Sequence, residues 1–178
     1  MKLLGIVGAA LLIGGGAYVG SPYLAASNLK DAAISGDVDQ LEANVDFPAV
    51  RENLKSQLSV ALTQQMESDP DFQGNPFAGL ASMMIPAFVD KAVDTYVTPD
   101  GLSALVQGSE PSEEGTAATK GTEEIEYTYE WVNVDRFKVN MTNKQTNERG
   151  PTLVFDRRGF ASWKLVKVDV GDSFAALN

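Results

Sequence analysis

In Ile125-Glu126-Tyr127-Thr128-Tyr129-Glu130-Trp131, every second side chain is apolar or aromatic, and those between are Glu or Thr. A period of two places one set on each face of a β-strand, one face buried and one wet. The alternation returns in Phe137, Val139 and Met141 against Arg136, Lys138 and Asn140. A polar loop through residues 143–151 then leads to Leu153-Val154-Phe155. Arg157-Arg158-Gly159 turns the chain into a fourth strand over residues 162–170. Four consecutive strands with short connections predict an antiparallel meander.

Upstream, over residues 28–106, the spacing is helical. Leu24, Leu29, Ala33 and Ile34 run along an element that Gly36 stops. Pro22 sits either in the first turn of this helix or at a kink in a helix continuous with the N-terminal run. Asp37, with Gln40 three residues later, has the spacing of a capping pair before Val38, Leu41 and Val45. Asp46 caps a third helix that tolerates Pro48 in its first turn and carries Val50, Leu54, Leu58, Leu62 and Met66 on one stripe. Asp69-Pro70 and Gly74-Asn75-Pro76 break the chain. Phe77, Leu80, Ala81, Met84, Phe88, Ala92 and Tyr96 form the next apolar stripe, with Pro86 marking a kink or a helix start. Thr98-Pro99 opens a short last helix with Leu102, Leu105 and Val106.

Residues 108–121, GSEPSEEGTAATKG, hold nothing apolar larger than alanine and read as a flexible acidic linker. Helices first and strands last predict an α+β fold, with several helices on a four-stranded antiparallel meander. A single domain over residues 25–178 divides into a helical part, 25–107, the linker, and a sheet part, 122–178. Leu54 and Trp163 are both expected at the helix–sheet interface.

Ahead of the domain, residues 3–19 form an uncharged run of 17. A bilayer core of about 30 Å needs roughly 20 helical residues, so residues 1–24 can span it. Lys2 and the amino terminus have no comparable positive charge beyond the run. The positive-inside bias therefore puts the N-terminus in the cytoplasm and the domain across the membrane. In a bacterium this is a single-pass inner-membrane protein with a periplasmic domain, whose first partner is the lipid bilayer. The alternative is a signal peptide cut after Ala25-Ala26, leaving a soluble periplasmic or secreted protein. Pro22 beside Ser21 discourages a cut nearer the run.

The 178 residues are 44% apolar and 21% charged, ordinary for a globular chain. A net charge of −10 argues against nucleic acid as a partner. With no cysteine and no histidine, disulfides, thiolate or imidazole catalysis and zinc sites built on those ligands are excluded. Residues 28–130 carry 5 basic and 19 acidic side chains, whereas residues 131–167 carry 8 and 3. The outer face of the sheet is thus acidic on its first strand and basic on the next three. Cross-strand pairing of Glu with Lys or Arg explains this most simply, and an anion-binding surface is the alternative.

Tyr127, Tyr129, Trp131, Phe137, Phe155 and Trp163 share the inward face, where they form either plain core or the lining of a pocket for an apolar ligand. Lys167, by alternation from Trp163 and Leu165, points the same way. Its amine either reaches water at the strand's end or holds an acidic ligand. Asp69 and Asp71 lack the ligand series of a calcium loop, and Asp90 and Asp94 read as the solvated side of a helix. No residue is assigned a catalytic or metal-binding role, and no cofactor is expected. The domain is expected to bind an envelope protein or an apolar ligand and not to be an enzyme, an isomerase or hydrolase with an unrecognised site being the remaining alternative.

Several stretches together resemble an uncharacterised bacterial family, domain of unknown function twenty-nine thirty-nine. They are Ser21-Pro22-Tyr23, Ile34-Ser35-Gly36-Asp37, and Val45-Asp46-Phe47-Pro48-Ala49-Val50-Arg51-Glu52-Asn53-Leu54. Val97-Thr98-Pro99-Asp100-Gly101-Leu102 and Arg158-Gly159-Phe160-Ala161-Ser162-Trp163-Lys164-Leu165 follow. The resemblance implies a short membrane-anchored protein with one domain outside the cytoplasm and brings no known activity. The element order is also similar to cystatin-like and nuclear-transport-factor-two-like cones, which implies a curved sheet.

Overall fold

Helices precede strands along the chain, and the strands pair in chain order. The structure, a computed structural model, describes residues 2–69, 72, 78–102 and 125–170, the side chains of residues 2–15, 17 and 78 excepted. The elements are α1 (Lys2–Ser35), α2 (Val38–Asn44), α3 (Phe47–Ser68), α4 (Ala78–Tyr96), β1 (Ile125–Asn133), β2 (Arg136–Asn143), β3 (Arg149–Arg157) and β4 (Trp163–Asp169). All strand pairs are antiparallel, in the order β1-β2-β3-β4. The fold is α+β. The linker at 108–121, Leu105, Val106, Asp71 and Phe77 lie outside the described residues.

α1 is one helix with Pro22 inside it. Proline has no N–H for the carbonyl of Tyr18, four residues back. The Ser21 hydroxyl donates to that carbonyl instead, at 3.0 Å. The helix ends where Gly36 takes a φ of 69°, and the Asp37 N–H returns to the Ala32 carbonyl at 3.0 Å. That is the six-to-one bond of a glycine-terminated helix. Asp37 then caps α2 by accepting from the Gln40 N–H at 3.0 Å, and Asp46 caps α3 by accepting from the Ala49 N–H at 3.2 Å.

The face of α1 that meets the sheet differs from expectation. Ser21, Pro22, Ala25, Leu29 and Ala32 are buried, whereas Leu24 and Ile34 are exposed. Small side chains let the helix lie close to a sheet face filled by Phe137, Phe155 and Trp163. Leu41, Val45, Phe47 and Val50 close the same core. A second cluster joins Ile85, Val89 and Val93 of α4 to Leu54, Leu58, Leu62 and Met66 of α3. Leu54 touches both clusters, so α3 connects them.

Two irregularities reset the sheet. β3 begins earlier than expected and includes Pro151, beside a register shift between Asn140 and Thr142 of β2. A bulge is one of the few places where a strand accepts proline. In β4, Leu165 faces Phe155 and Lys167 faces the preceding Val154, so Val166 is an extra residue. The β4 edge is covered. The Asp46 N–H donates to the Leu165 carbonyl at 2.8 Å. The Gln57 amide of α3 donates to the Val168 carbonyl at 2.9 Å and accepts from the Val170 N–H at 3.0 Å, as a neighbouring peptide unit would.

Among the described residues no helix is long and apolar enough to cross a membrane. The expected span at residues 1–24 falls mostly on positions whose side chains are outside that description, and its last part, from Tyr18 to Tyr23, packs against the sheet as part of the domain.

Candidate functional site

The aromatic face of the sheet is packed against α1. Phe137, Phe155 and Trp163 are buried, Trp131 is half-buried, and Tyr127 and Tyr129 are exposed at its margin. Tyr23 of α1 lies over this layer, its ring centroid 5.1 Å from both Tyr129 and Phe137. Trp131 stands edge-on to Phe137 at 5.6 Å and to Trp163 at 5.7 Å. Lys30 sits 5.3 Å above the Tyr127 ring. The helix thus occupies the space that an apolar ligand would take.

Lys167 is not on this face. The extra residue at Val166 inverts the alternation, because one inserted residue moves every later side chain to the other side. Lys167 therefore lies on the outer face, paired with Asp169 at 2.8 Å. Sequence alternation carries no signal of a single bulge.

Around Tyr18 the helix meets both hairpin turns at one end of the sheet. The Tyr18 hydroxyl makes a long 3.4 Å contact to the Val134 carbonyl, and its ring lies 5.7 Å from that of Phe160. Arg157 is held between two rings, 3.9 Å above Tyr18 and 4.1 Å from Trp163. Its Nε donates to the Val134 carbonyl at 3.0 Å and lies 3.4 Å from Asp135, and Nη1 donates to the Phe160 carbonyl. Nη2 is buried without a hydrogen-bond partner, so the aromatic faces supply part of its compensation. Opposite Arg157 in the β3–β4 register, the Trp163 indole donates to Ser21 Oγ at 2.8 Å. Ser21 thereby joins the helix carbonyl freed by Pro22 to the last strand. The Ser21-Pro22 pair was the available sequence signal for this junction; the arginine sandwich had none.

The outer face carries an open polar groove of about 470 Å³. Thr128, Asn140, Thr152 and Asp169 lie in register across all four strands along it, with Glu130, Thr142 and Arg149 beside them. Thr152 donates to Asn140 at 3.0 Å. Two basic residues of this face pair with aspartates of β3 and β4: Arg136 grips Asp156 with two bonds of 2.7 and 2.9 Å, and Lys167 pairs with Asp169 at 2.8 Å, while Lys138 stands opposite Glu130 in register. The expected Glu partners on β1 do not account for the two aspartate pairs.

The Arg136 hydrogen bonds hold the Asp156 carboxyl below the usual carboxylate range, against a smaller opposing effect of burial. A depressed native pKa adds stability that is present above the unfolded value of about 3.9 and is lost as pH falls through the native one. Since Arg136 is half exposed, this amounts to less than about 1 kcal/mol. Asp156→Asn should accordingly be slightly less stable than wild type at neutral pH, and in urea titrations the two should converge as pH falls through the lowered native value of the Asp156 carboxyl. A constant difference across that range would show the pair contributes nothing through ionisation.

On α4 the buried row is Ile85, Val89 and Val93, not the expected stripe. Leu80 is 60% exposed, Met83 80%, Met84 63% and Phe88 71%. α4 therefore has two apolar faces, of which only one meets α3. Asp90 and Asp94 both reach Lys55 of α3, at 3.8 and 2.8 Å, and the Asp94 hydrogen bond raises the Lys55 ammonium. Among the described residues no group of three or more carboxylates could hold a metal ion.

A protein-family profile, Protein of unknown function (DUF2939), matches residues 11–105. The chain belongs to this family. The family's region runs from within α1 through α4 to the turn that opens at Pro99, where Thr98 Oγ1 accepts from the Gly101 N–H at 3.0 Å. A Cβ at Gly101 would lie 2.1 Å from the Tyr96 carbonyl oxygen, which is why glycine stands there. The sheet, including the resembling stretch at residues 158–165, lies beyond the matched region. No curated protein and no solved structure matches the chain, so the cone likeness rests on element order alone.

Proposed function

We propose that the chain is a single-pass, membrane-anchored protein of the bacterial envelope. Its domain, outside the cytoplasm, works by binding another envelope protein and not by covalent chemistry. The observation that carries this reading is the path of α1. The helix that begins in the apolar run continues unbroken into the core, where Ser21, Pro22 and Ala25 are buried and Tyr23 covers the aromatic layer. Cleavage after Ala26 would remove those core side chains, so retention of the N-terminal segment suits the fold better than its loss.

Two features support binding over chemistry. Lys55, Arg136 and Asp156 are each engaged in an ion pair, and with no histidine and no cysteine the chain offers neither an imidazole base nor a thiolate nucleophile. The outward row on α4 offers apolar surface of the kind that protein partners cover. The apolar-ligand alternative is less well supported, because α1 fills the aromatic face.

In its host, the mature protein should retain residues 2–26, resist extraction by salt and carbonate, and dissolve only with detergent. A mature terminus at Ser27 or Asn28, found by protein sequencing, would overturn the anchored reading.

A further inference from the structure

The end of the sheet that surrounds Tyr18 presents apolar side chains at its turns. Val134, in the β1–β2 turn, is 64% exposed, Phe160, in the β3–β4 turn, 65%, and Val19, next to Tyr18 along α1, 57%. Turn tips ordinarily carry small or polar residues, so a phenylalanine there needs a reason. The position along α1 supplies one. At 1.5 Å per residue, residues 3–19 cover about 25 Å, slightly less than a hydrocarbon core of about 30 Å. Tyr18 and Val19 then fall at the far edge of that core.

Contacts along α1 fix which end of the sheet faces the bilayer. Lys30 meets Tyr127, Tyr23 meets Tyr129, Ser21 meets Trp163, and Tyr18 meets Val134 and Phe160. The helix and β1 run in opposite senses, and the two turns flank α1 at the level of Tyr18. The β2–β3 turn around Gln145 lies at the other end.

We propose that the two turns form a foot that seats the domain on the membrane, with Val134 and Phe160 inserted at the boundary between acyl chains and headgroups. This rests on the anchored reading above and deepens it. Aromatic residues are favoured at that depth. The contact is apolar in origin, because each arginine at this end has an aspartate partner. Arg157 faces Asp135 at 3.4 Å, Arg136 faces Asp156 at 2.7 Å and Arg158 faces Asp46 at 3.0 Å. Seating is therefore independent of anionic lipid. It also gives the Arg157 sandwich a purpose: it braces both turns against the helix at the surface, setting the domain at a fixed angle.

The absence of cysteine makes the test direct. Val134→Cys, Phe160→Cys and, as the distal control, Gln145→Cys are labelled with an environment-sensitive fluorophore in the full-length protein. Each is reconstituted in phosphatidylcholine vesicles, with and without phosphatidylglycerol, containing lipids that carry a nitroxide near the headgroup. Labels at 134 and 160 should be quenched several-fold more than the label at 145, equally in both lipids and in molar salt. Should Phe160→Cys fail to melt like wild type, Ala161→Cys on the same turn replaces it. Equal quenching at all three sites in vesicles that retain the protein would overturn the foot and leave the anchor standing. Loss of the protein from floated vesicles would overturn the anchor as well. Quenching that needs phosphatidylglycerol would overturn the apolar contact, and shielding that grows with protein density would assign the surface to a second copy.

Discussion

Trp163→Ala should lower the free energy of unfolding by about 3–5 kcal/mol, the range for removing a buried large aromatic side chain. Trp163 is 2% exposed, and its indole N–H is satisfied by Ser21. Truncation would leave a cavity where Trp131, Phe137 and the Arg157 guanidinium now pack. It would also uncover one side of a charged group that has already lost much of its water. Trp163→Phe separates these effects. It keeps most of the volume and removes the bond to Ser21, so it should cost only about 1–2 kcal/mol. Urea unfolding of both variants in detergent checks the ordering. A melting curve for Trp163→Ala close to wild type would mean that the residue does not hold α1 to the sheet.

Phe137→Ala should cost a similar ~3–5 kcal/mol, because Phe137 is the centre of the ring cluster and is 0% exposed. Tyr23, Tyr129, Trp131 and Trp163 all have ring centroids within 6.4 Å of it. Tyr129→Ala, on the same face but 45% exposed, should cost much less. The contrast decides between core and pocket. Residues that line an open ligand cavity can be truncated without large loss of stability, whereas a filled interface cannot tolerate the void. Since Phe137 and Trp163 touch, the double variant should deviate from additivity by more than about 0.5 kcal/mol. Strict additivity would mean the two rings relax independently, contrary to one packed layer.

The features that depend on near neighbours in the chain were legible in the residues themselves. Asp37 and Asp46 cap helices, Gly36 ends one, and the two-residue alternation yields strands that pair in chain order. Each follows from local hydrogen bonding and backbone geometry, which a few consecutive residues determine. The family could likewise be read from the ordered stretches at residues 21–23, 34–37, 45–54 and 97–102. The aromatic candidates were identified as one face, but whether that face was open or filled was not local information.

Tertiary packing decided the rest. α4 has apolar residues on two sides, and only contact with α3 chooses Ile85, Val89 and Val93 over Leu80, Met84 and Phe88. Helical period alone cannot rank two faces of similar hydrophobicity. Pro22 was compatible with a helix start or a continuous helix, and the Ser21–Trp163 bond, spanning 142 residues of sequence, favours the continuous one. Lys167 was placed inward by a rule that holds only while the ladder is regular. The extra residue at Val166 changes its face, and such a bulge arises from how β4 fits Phe155 on one side and the Asp46 and Gln57 contacts on the other. Local sequence fixes which elements form and where they stop, because those energies are summed over adjacent residues. Facing, register and closure depend on side chains brought together from distant parts of the chain, and only the assembled core selects among them.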